Sequence, residues 1–384
     1  MLTTDAIEEA ITWRRDFHQH PETAFKEHRT SRLIAERLAA WGLAVRTGYG
    51  GTGVVGTLSR GTSSRTIAIR ADIDALPIME DTGIDHASLT PGTMHACGHD
   101  GHTAMLLAAA KHCARHAEID GTVHFVFQPA EENEAGARKM IEDGLFRDIR
   151  PDAVYALHNW PGLAVGSCIA RDGAMMAAFG TFEIVIRGRG SHAAMPHEGF
   201  DPIMTSCQVV SALQTVSSRA VSPLEAVVVS VTQIHAGDTW NVIPDSCVIR
   251  GTTRWFSDTV GQTIERRLTA IADHVAQAFG CEAVLTHQVR YPTTINSPTE
   301  ANFVREVAKD HALGMTFIDG APSMAAEDFA FMLREKPGCY FWLGAGKEGD
   351  NPGLHSPRYD FNDAILATGA NFWIALTKQA LAHT

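Results

Sequence analysis

The sequence predicts an α/β protein: a mixed, mostly parallel sheet with helices on both faces, plus an inserted ferredoxin-like α+β domain. Three observations predict it. Short apolar runs alternate with helix-spaced segments in the first part of the chain, as in a sheet covered on both faces. A complete β-α-β-β-α-β order then fills residues 178–291. After Pro292 the alternating pattern resumes. The 384 residues also exceed what one core usually serves, since single cores stop growing near ~250–300 residues.

Taken in order, residues 5–19 and 28–41 have helical spacing, with Pro21 breaking between them. VVGTLS (54–59), TIAIRADI (66–73), TVHFVFQ (122–128) and AVYALH (153–158) read as strands, with a helix over 102–117. In the middle domain, 178–188 is a strand, 200–219 a helix, 225–237 and 246–256 strands, 259–280 a helix and 282–291 a strand. Helices at 300–313 and 325–335, a strand at 339–344 and a helix from 362 to 382 finish the chain. The expected division is 1–177 with 292–384 for one domain and 178–291 for the other.

Composition excludes several classes. A formal charge of −12 argues against nucleic acid, whose binding needs a basic surface to release counterions. No run approaches the ~18 apolar residues that span a bilayer, and the N-terminus lacks an apolar signal core. Seven scattered cysteines without CxxC spacing fit a reducing cytoplasm and no disulfide framework. The 19 histidines are the unusual feature.

Three of them fall in Met94-His95-Ala96-Cys97-Gly98-His99-Asp100-Gly101-His102. Thiolate, imidazole and carboxylate are the side chains that bind divalent transition metals. Cys97 and His99 can reach one point from a glycine-containing turn, although a lone CxH is more often a buried cysteine beside capping groups. His95, Asp100 and His102 read better as supporting or structural groups. After the strand TVHFVFQ comes Pro129-Ala130-Glu131-Glu132, where paired acids allow one to ligate and the other to shuttle protons. A solvated loop with two glutamates is the ordinary alternative. His158 follows the strand AVYAL, and His355 lies in GLHSP beyond CYFWLG. Ligands gather at the carboxyl ends of strands in open α/β sheets. Together these stations supply Cys97, His99, Glu132, His158 and His355, enough for two metals sharing a bridging ligand, with Glu131 left free. Met175, Met176, Met195, Trp160 and Phe179 could wall an apolar pocket or be ordinary core.

Two motifs mislead. Gly48-Tyr49-Gly50-Gly51-Thr52-Gly53 matches GxGxxG, but a strand follows where a dinucleotide loop would open a helix. His18-Gln19-His20 matches the HxH metal pair of barrel amidohydrolases, yet it follows a helical segment and adjoins Pro21.

MHACGHDGHTAMLL, FQPAEE, ALHNWPG, GRGSHAAMPHEGFDPI, WNVIPD, AAEDFAFML and GLHSPRYDFND resemble the N-acyl-amino-acid amidohydrolases. That family includes hippurate hydrolase and the plant indoleacetyl-amino acid hydrolases, within the aminoacylase–carboxypeptidase G superfamily of metallopeptidases. The resemblance runs from RRDFHQHPE to the C-terminal helix. It implies two divalent cations per subunit, with Cys97 bridging, His99 and His158 on one, and Glu132 and His355 on the other. A thiolate favours Zn2+, with Mn2+, Co2+ or Ni2+ as alternatives. It also implies Glu131 as general base, Asp74 as the carboxylate that orients a ligand, and His192 as the group polarising the scissile carbonyl. Asn241 and Arg254 match substrate-recognition positions. Ala135 and Ala326 depart from the glycine, or glycine or serine, that many members carry; both are small, so activity should survive. The implied reaction is hydrolysis of N-acyl amino acids by a cytoplasmic homo-oligomer joined through the inserted domain. A dipeptidase or carboxypeptidase, or a non-catalytic ligand-binding relative, are the alternatives.

Overall fold

Strands with no polar alternation belong in the middle of a sheet. Gly121–Gln128, Ala153–Trp160 and Gly338–Gly344 are such runs, buried at nearly every position. The computed structural model describes residues 1–132, 134–347, 349 and 351–382, so the last two positions of the expected 292–384 segment lie outside the described residues. In it an eight-stranded sheet runs in the order Ala44–Tyr49, Gly53–Arg60, Gly121–Gln128, Thr66–Asp72, Ala153–Trp160, Gly338–Gly344, Ser167–Ile169, Thr316–Phe317. Thr66–Asp72 pairs parallel with both neighbours, and Ala153–Trp160 pairs parallel with Gly338–Gly344. The last two strands are also parallel, while the remaining pairs are antiparallel. The four central strands therefore end on one side of the sheet.

Helices Thr4–Gln19, His28–Ala40, His99–His116 and Leu366–Ala380 share one core with this sheet. Every residue from His99 to Ala110 is buried, so this helix shows no polar face along most of its length.

Contacts divide the chain into two units: 1–175, 294–321 and 328–384 form one, and 176–293 with 322–327 the other. The short segment joins the second unit because the Ala177 N–H meets the carbonyls of Ser323 and Ala325. That unit is built on an antiparallel sheet in the order Val228–His235, Ser246–Trp255, Ala178–Arg187, Glu282–Tyr291. Burial alternates along Ser246–Trp255, so one face is covered, and helices Pro202–Leu213 and Asp258–Ala278 complete its core.

Several boundaries differ from the sequence reading. The helix expected over 200–219 starts where Asp201 accepts the Ile203 and Met204 N–H groups; it stops at Leu213, before a separate π turn at Val216–Ala220. The helix expected over 300–313 ends at Val307, and of 325–335 only Ala330–Glu335 is helical. The edge strand Ala44–Tyr49, largely exposed, has no apolar run to announce it. It forms a hairpin with Gly53–Arg60, and the GxGxxG glycines make the turn, with Gly48, Gly50 and Gly51 all at positive φ. Among the described residues no helix is long and apolar enough to cross a membrane.

Candidate metal centre

The parallel strands deliver their following residues to one edge. Asp72 ends one strand with Asp74 two residues on, Glu131 and Glu132 follow a second, and His158 stands near the end of a third. Cys97 and His99 arrive from the start of the helix His99–His116, where Gly98 takes φ 89°. No larger residue fits there, because a Cβ would lie 2.4 Å from Asn159 Nδ2 and 2.7 Å from Tyr359 Oη. His355 comes from the loop beyond Gly338–Gly344, itself at φ 65°, with its N–H donating to the Ala96 carbonyl at 2.8 Å.

Hydrogen bonds decide which nitrogen lone pairs are available. His99 Nδ1 donates to the Asp74 carbonyl at 2.9 Å, leaving a buried Nε2 with no hydrogen-bond partner. His158 Nδ1 donates to the Asn159 carbonyl at 2.7 Å, and its Nε2 faces Cys97 Sγ at 3.4 Å. The Glu132 N–H donates to Asp74 Oδ2 at 2.9 Å, while its Oε1 lies 3.3 Å from His355 Nε2 and makes no hydrogen bond. Ligand atoms of Cys97, Glu132 and His355 fall within 4.8 Å of one another, as do those of His99, Glu131 and Glu132. Asp74 touches both sides, since its Oδ1 is 3.3 Å from His99 Nδ1.

His102 lies within the same range of His99, His158 and Asp72, but its nitrogens are taken. Nδ1 donates to Asp72 Oδ1 at 2.6 Å and Nε2 receives the Asn159 N–H at 3.0 Å. Asp72 is equally committed, with Arg70 donating to its other oxygen at 2.7 Å. Arg70 continues to Gln128 Oε1 at 2.7 Å and Asp328 Oδ1 at 3.0 Å, and the Asp328 N–H reaches Glu131 Oε1 at 3.4 Å. The sequence reading assigned no role to Asp72, Arg70, Gln128, Asp328 or Asn159. An arginine and an aspartate on one apolar strand were the available signal, because buried charges must be paired.

The electrostatics point the same way. Burial opposes charge on His99, yet Asp72 and Asp74 lift it to about 10. Burial, then Glu132, Glu131 and Asp72, push the Cys97 thiol well above its ordinary range. His158 is driven down by burial and by His102. Carboxylates crowd a thiol and an imidazole that lacks an acceptor for Nε2, so the pocket is short of positive charge. A divalent cation satisfies such a donor set and displaces the protons.

Residues 68–379 match the family described as peptidase family M20/M25/M40. The chain belongs to this family. It is 40% identical to the N-acetyl-L-cysteine deacetylase of Bacillus subtilis (strain 168) over 369 residues, 96% of this chain and 87% of that protein. It is 38% identical to the hippurate hydrolase of Campylobacter jejuni over 370 residues, 96% and 95% of the two. The crystal structure of the Bacillus subtilis YXEP protein, described as a dinuclear metal binding peptidase from the M20 family, superposes with a TM-score of 0.86. Identity to it is 34%, with 99% of each chain covered.

In this M20 chain the expected His192, Asn241 and Arg254 lie in the second unit. His192 pairs with Val242, Ala193 N–H donates to the Asn241 carbonyl, and the Ala194 N–H donates to His192 Nδ1 at 3.1 Å. His192 and Asn241 are therefore neighbours on exposed backbone. Arg254 stacks on the Phe179 ring at 4.1 Å. Met175 and Met176 are buried core, Met195 is exposed, and Trp160 stacks on Trp342 at 4.1 Å. Ala326 belongs to the 322–327 segment. Ala135 adopts φ 58°, which explains physically why glycine suits this position.

The HxH pair is no metal site. His18 donates from both nitrogens, to Asp100 Oδ2 at 2.9 Å and toward Glu80 Oε1 at 3.3 Å. Burial works against its charge, but those carboxylates raise it to about 9. His20 Nδ1 donates to the Asp16 carbonyl at 2.9 Å.

Proposed function

We propose that this M20 protein hydrolyses the amide bond of N-acyl amino acids, giving a carboxylic acid and a free amino acid. The observation that carries this reading is the pair of bare donor atoms, His99 Nε2 and Glu132 Oε1, beside Cys97, His158 and His355. His99 and His158 would hold one cation, Glu132 and His355 the other, with Cys97 between them. The thiolate favours zinc, with manganese, cobalt or nickel as alternatives. When bound, the two cations supply Lewis acidity, which lowers the pKa of a water and polarises a carbonyl.

Glu131, buried and adjacent to these groups, takes a proton from the attacking water and delivers it to the leaving amine. Asp74 fixes the His99 ring and the Glu132 backbone together. His192 adds a hydrogen bond to the developing oxyanion, from its own or a partner subunit. Asn241 and Arg254 hold the substrate. We further propose that residues 178–291 form a ferredoxin-like lid through which the chain builds a homo-oligomer. The seven unpaired cysteines and the acidic balance support a cytoplasmic enzyme without nucleic-acid partners.

A panel of N-acetyl and N-benzoyl amino acids, assayed before and after chelation, tests the reading. Turnover should disappear with chelator and return with zinc, manganese, cobalt or nickel. Chelation without effect would remove the metal from the mechanism. Faster turnover of unblocked dipeptides would move the activity to a peptidase.

A further inference from the structure

Glu27 precedes the helix His28–Ala40, in the position where a side chain ordinarily caps the first turn, but its carboxylate makes no cap. It is completely buried and turns elsewhere. Its Oε1 accepts the N–H of Phe25 at 3.0 Å and the N–H of Ala130 at 3.0 Å, and its Oε2 accepts the Thr52 hydroxyl at 2.6 Å. Both N–H donors belong to non-glycine residues at positive φ, 59° for Phe25 and 54° for Ala130. That conformation costs an L-residue about 1–2 kcal/mol, so it persists only where surrounding contacts over-determine it. Ala130 is the residue immediately before Glu131. Its carbonyl is held too, by the Gly136 N–H at 2.9 Å.

The same segment grips the loop that carries Asp74. The Glu22 carbonyl accepts the Ala75 N–H at 2.8 Å, and Thr23 bridges to Ala75. The Glu22 carboxylate meanwhile accepts the N–H groups of Arg29 and Thr30 at 2.9 and 2.8 Å, anchoring the segment to its helix. Residues 22–30 thus brace both acidic loops of the centre from behind.

We infer that Glu27 is a positioning residue for Glu131: its buried carboxylate fixes the Ala130 peptide in a left-handed conformation, and so the direction from which the Glu131 side chain enters the site. This rests on the reading of Glu131 as general base. A base displaced by about 1 Å loses roughly 10²-fold in rate, because proton transfer depends on near-contact geometry. Substrate binding does not depend on that atom, so kcat should carry the effect. Glutamine keeps an acceptor of the same reach, and burial with nearby Asp74 already pushes the Glu27 carboxyl up to about 7.

The test is steady-state kinetics and metal content on the full-length, metal-loaded Glu27→Ala, Glu27→Asp and Glu27→Gln proteins. Glu27→Ala should lose about 10²-fold in kcat with KM within about threefold and metal content unchanged. Glu27→Gln should recover most of that loss. If Glu27→Ala fails to fold, Glu27→Asp, which withdraws the carboxylate by one methylene, should lose about tenfold in kcat alone. A folded Glu27→Ala or Glu27→Asp with unchanged kcat overturns the role, as does a loss explained wholly by missing metal. Glu131→Gln separates the two readings. If it keeps turnover, both fall; if it is inactive while Glu27→Ala keeps its kcat, only the positioning role falls.

Discussion

Two histidine clusters meet at the first turn of the helix His99–His116, and they are chemically opposite. On one side His18 places a carboxylate on each ring nitrogen, and Arg14 adds its own pairs to Asp360 at 3.1 Å and Asp363 at 2.8 Å. On the other side His99 and His158 each spend Nδ1 on a backbone carbonyl and turn Nε2 toward the centre, where that of His99 has no hydrogen-bond partner and that of His158 faces Cys97 Sγ at 3.4 Å. The first arrangement holds protons and closes a fold. The second offers nitrogens whose protons a divalent cation would displace. A count of histidines cannot tell these apart, whereas the partner of each nitrogen can.

Breaking either side should give distinct losses. The largest effect is expected at Glu131→Gln, which should keep its metal yet lose about 10³-fold or more in kcat, read by steady-state kinetics beside metal analysis. Robust turnover in that variant would sink the assignment. Cys97→Ala should next reduce metal affinity by orders of magnitude, while the urea stability of chelated protein changes by about 1 kcal/mol or less. Asp74→Asn should cost about 10–100-fold in metal affinity or activity, through loss of its hold on His99 and Glu132.

His18→Gln should do the reverse, sparing metal content and destabilising the fold by on the order of 3 kcal/mol at pH 6. His18 is raised in the folded state to about 9 from an ordinary 6.5. Its contribution is therefore complete below about pH 6.5 and fades as pH rises through 9. Urea midpoints at pH 6 and 9.5 should converge for wild type and variant at the higher pH; a constant gap would contradict the charged clamp. The smallest effect is Ala135→Gly, which should raise stability by up to about 1 kcal/mol by relieving positive φ, measurable as a small upward shift in Tm.

The legible parts of the sequence were those where one physical rule acts alone. The apolar runs before Gln128 and His158 are strands because nothing polar interrupts them, and the residues after them fall at strand ends by topology. Glu132, His158 and His355 could be proposed together for that reason, and Cys97 and His99 because ligand side chains crowd one glycine-containing turn. What spacing could not convey is which imidazole is spent. The physical ground for giving His102 a supporting role lies outside HDGH, in the Asn159 N–H, 57 positions away, that its Nε2 accepts. The start of the helix at His99, three residues before its expected position, depends likewise on Gly98 adopting φ 89° between Asn159 and Tyr359. At Met175 and Met176 the sequence leaves two readings open, pocket wall or ordinary core, because burial in a core and exposure to substrate select the same residue types; both are buried.

One turn of helix carries both clusters. His99 aims at the open lone-pair side and Asp100, its neighbour, at the clamp. A helix rotates by about 100° per residue, so these two directions are set by adjacency alone. Inserting or deleting a single residue beside Gly98 would rephase both at once, unseating the imidazole and stranding the carboxylate in the same event. This stretch should therefore tolerate almost no change in length, even where individual side chains can vary, and a length-scanning library across 96–103 should show its sharpest depletion there.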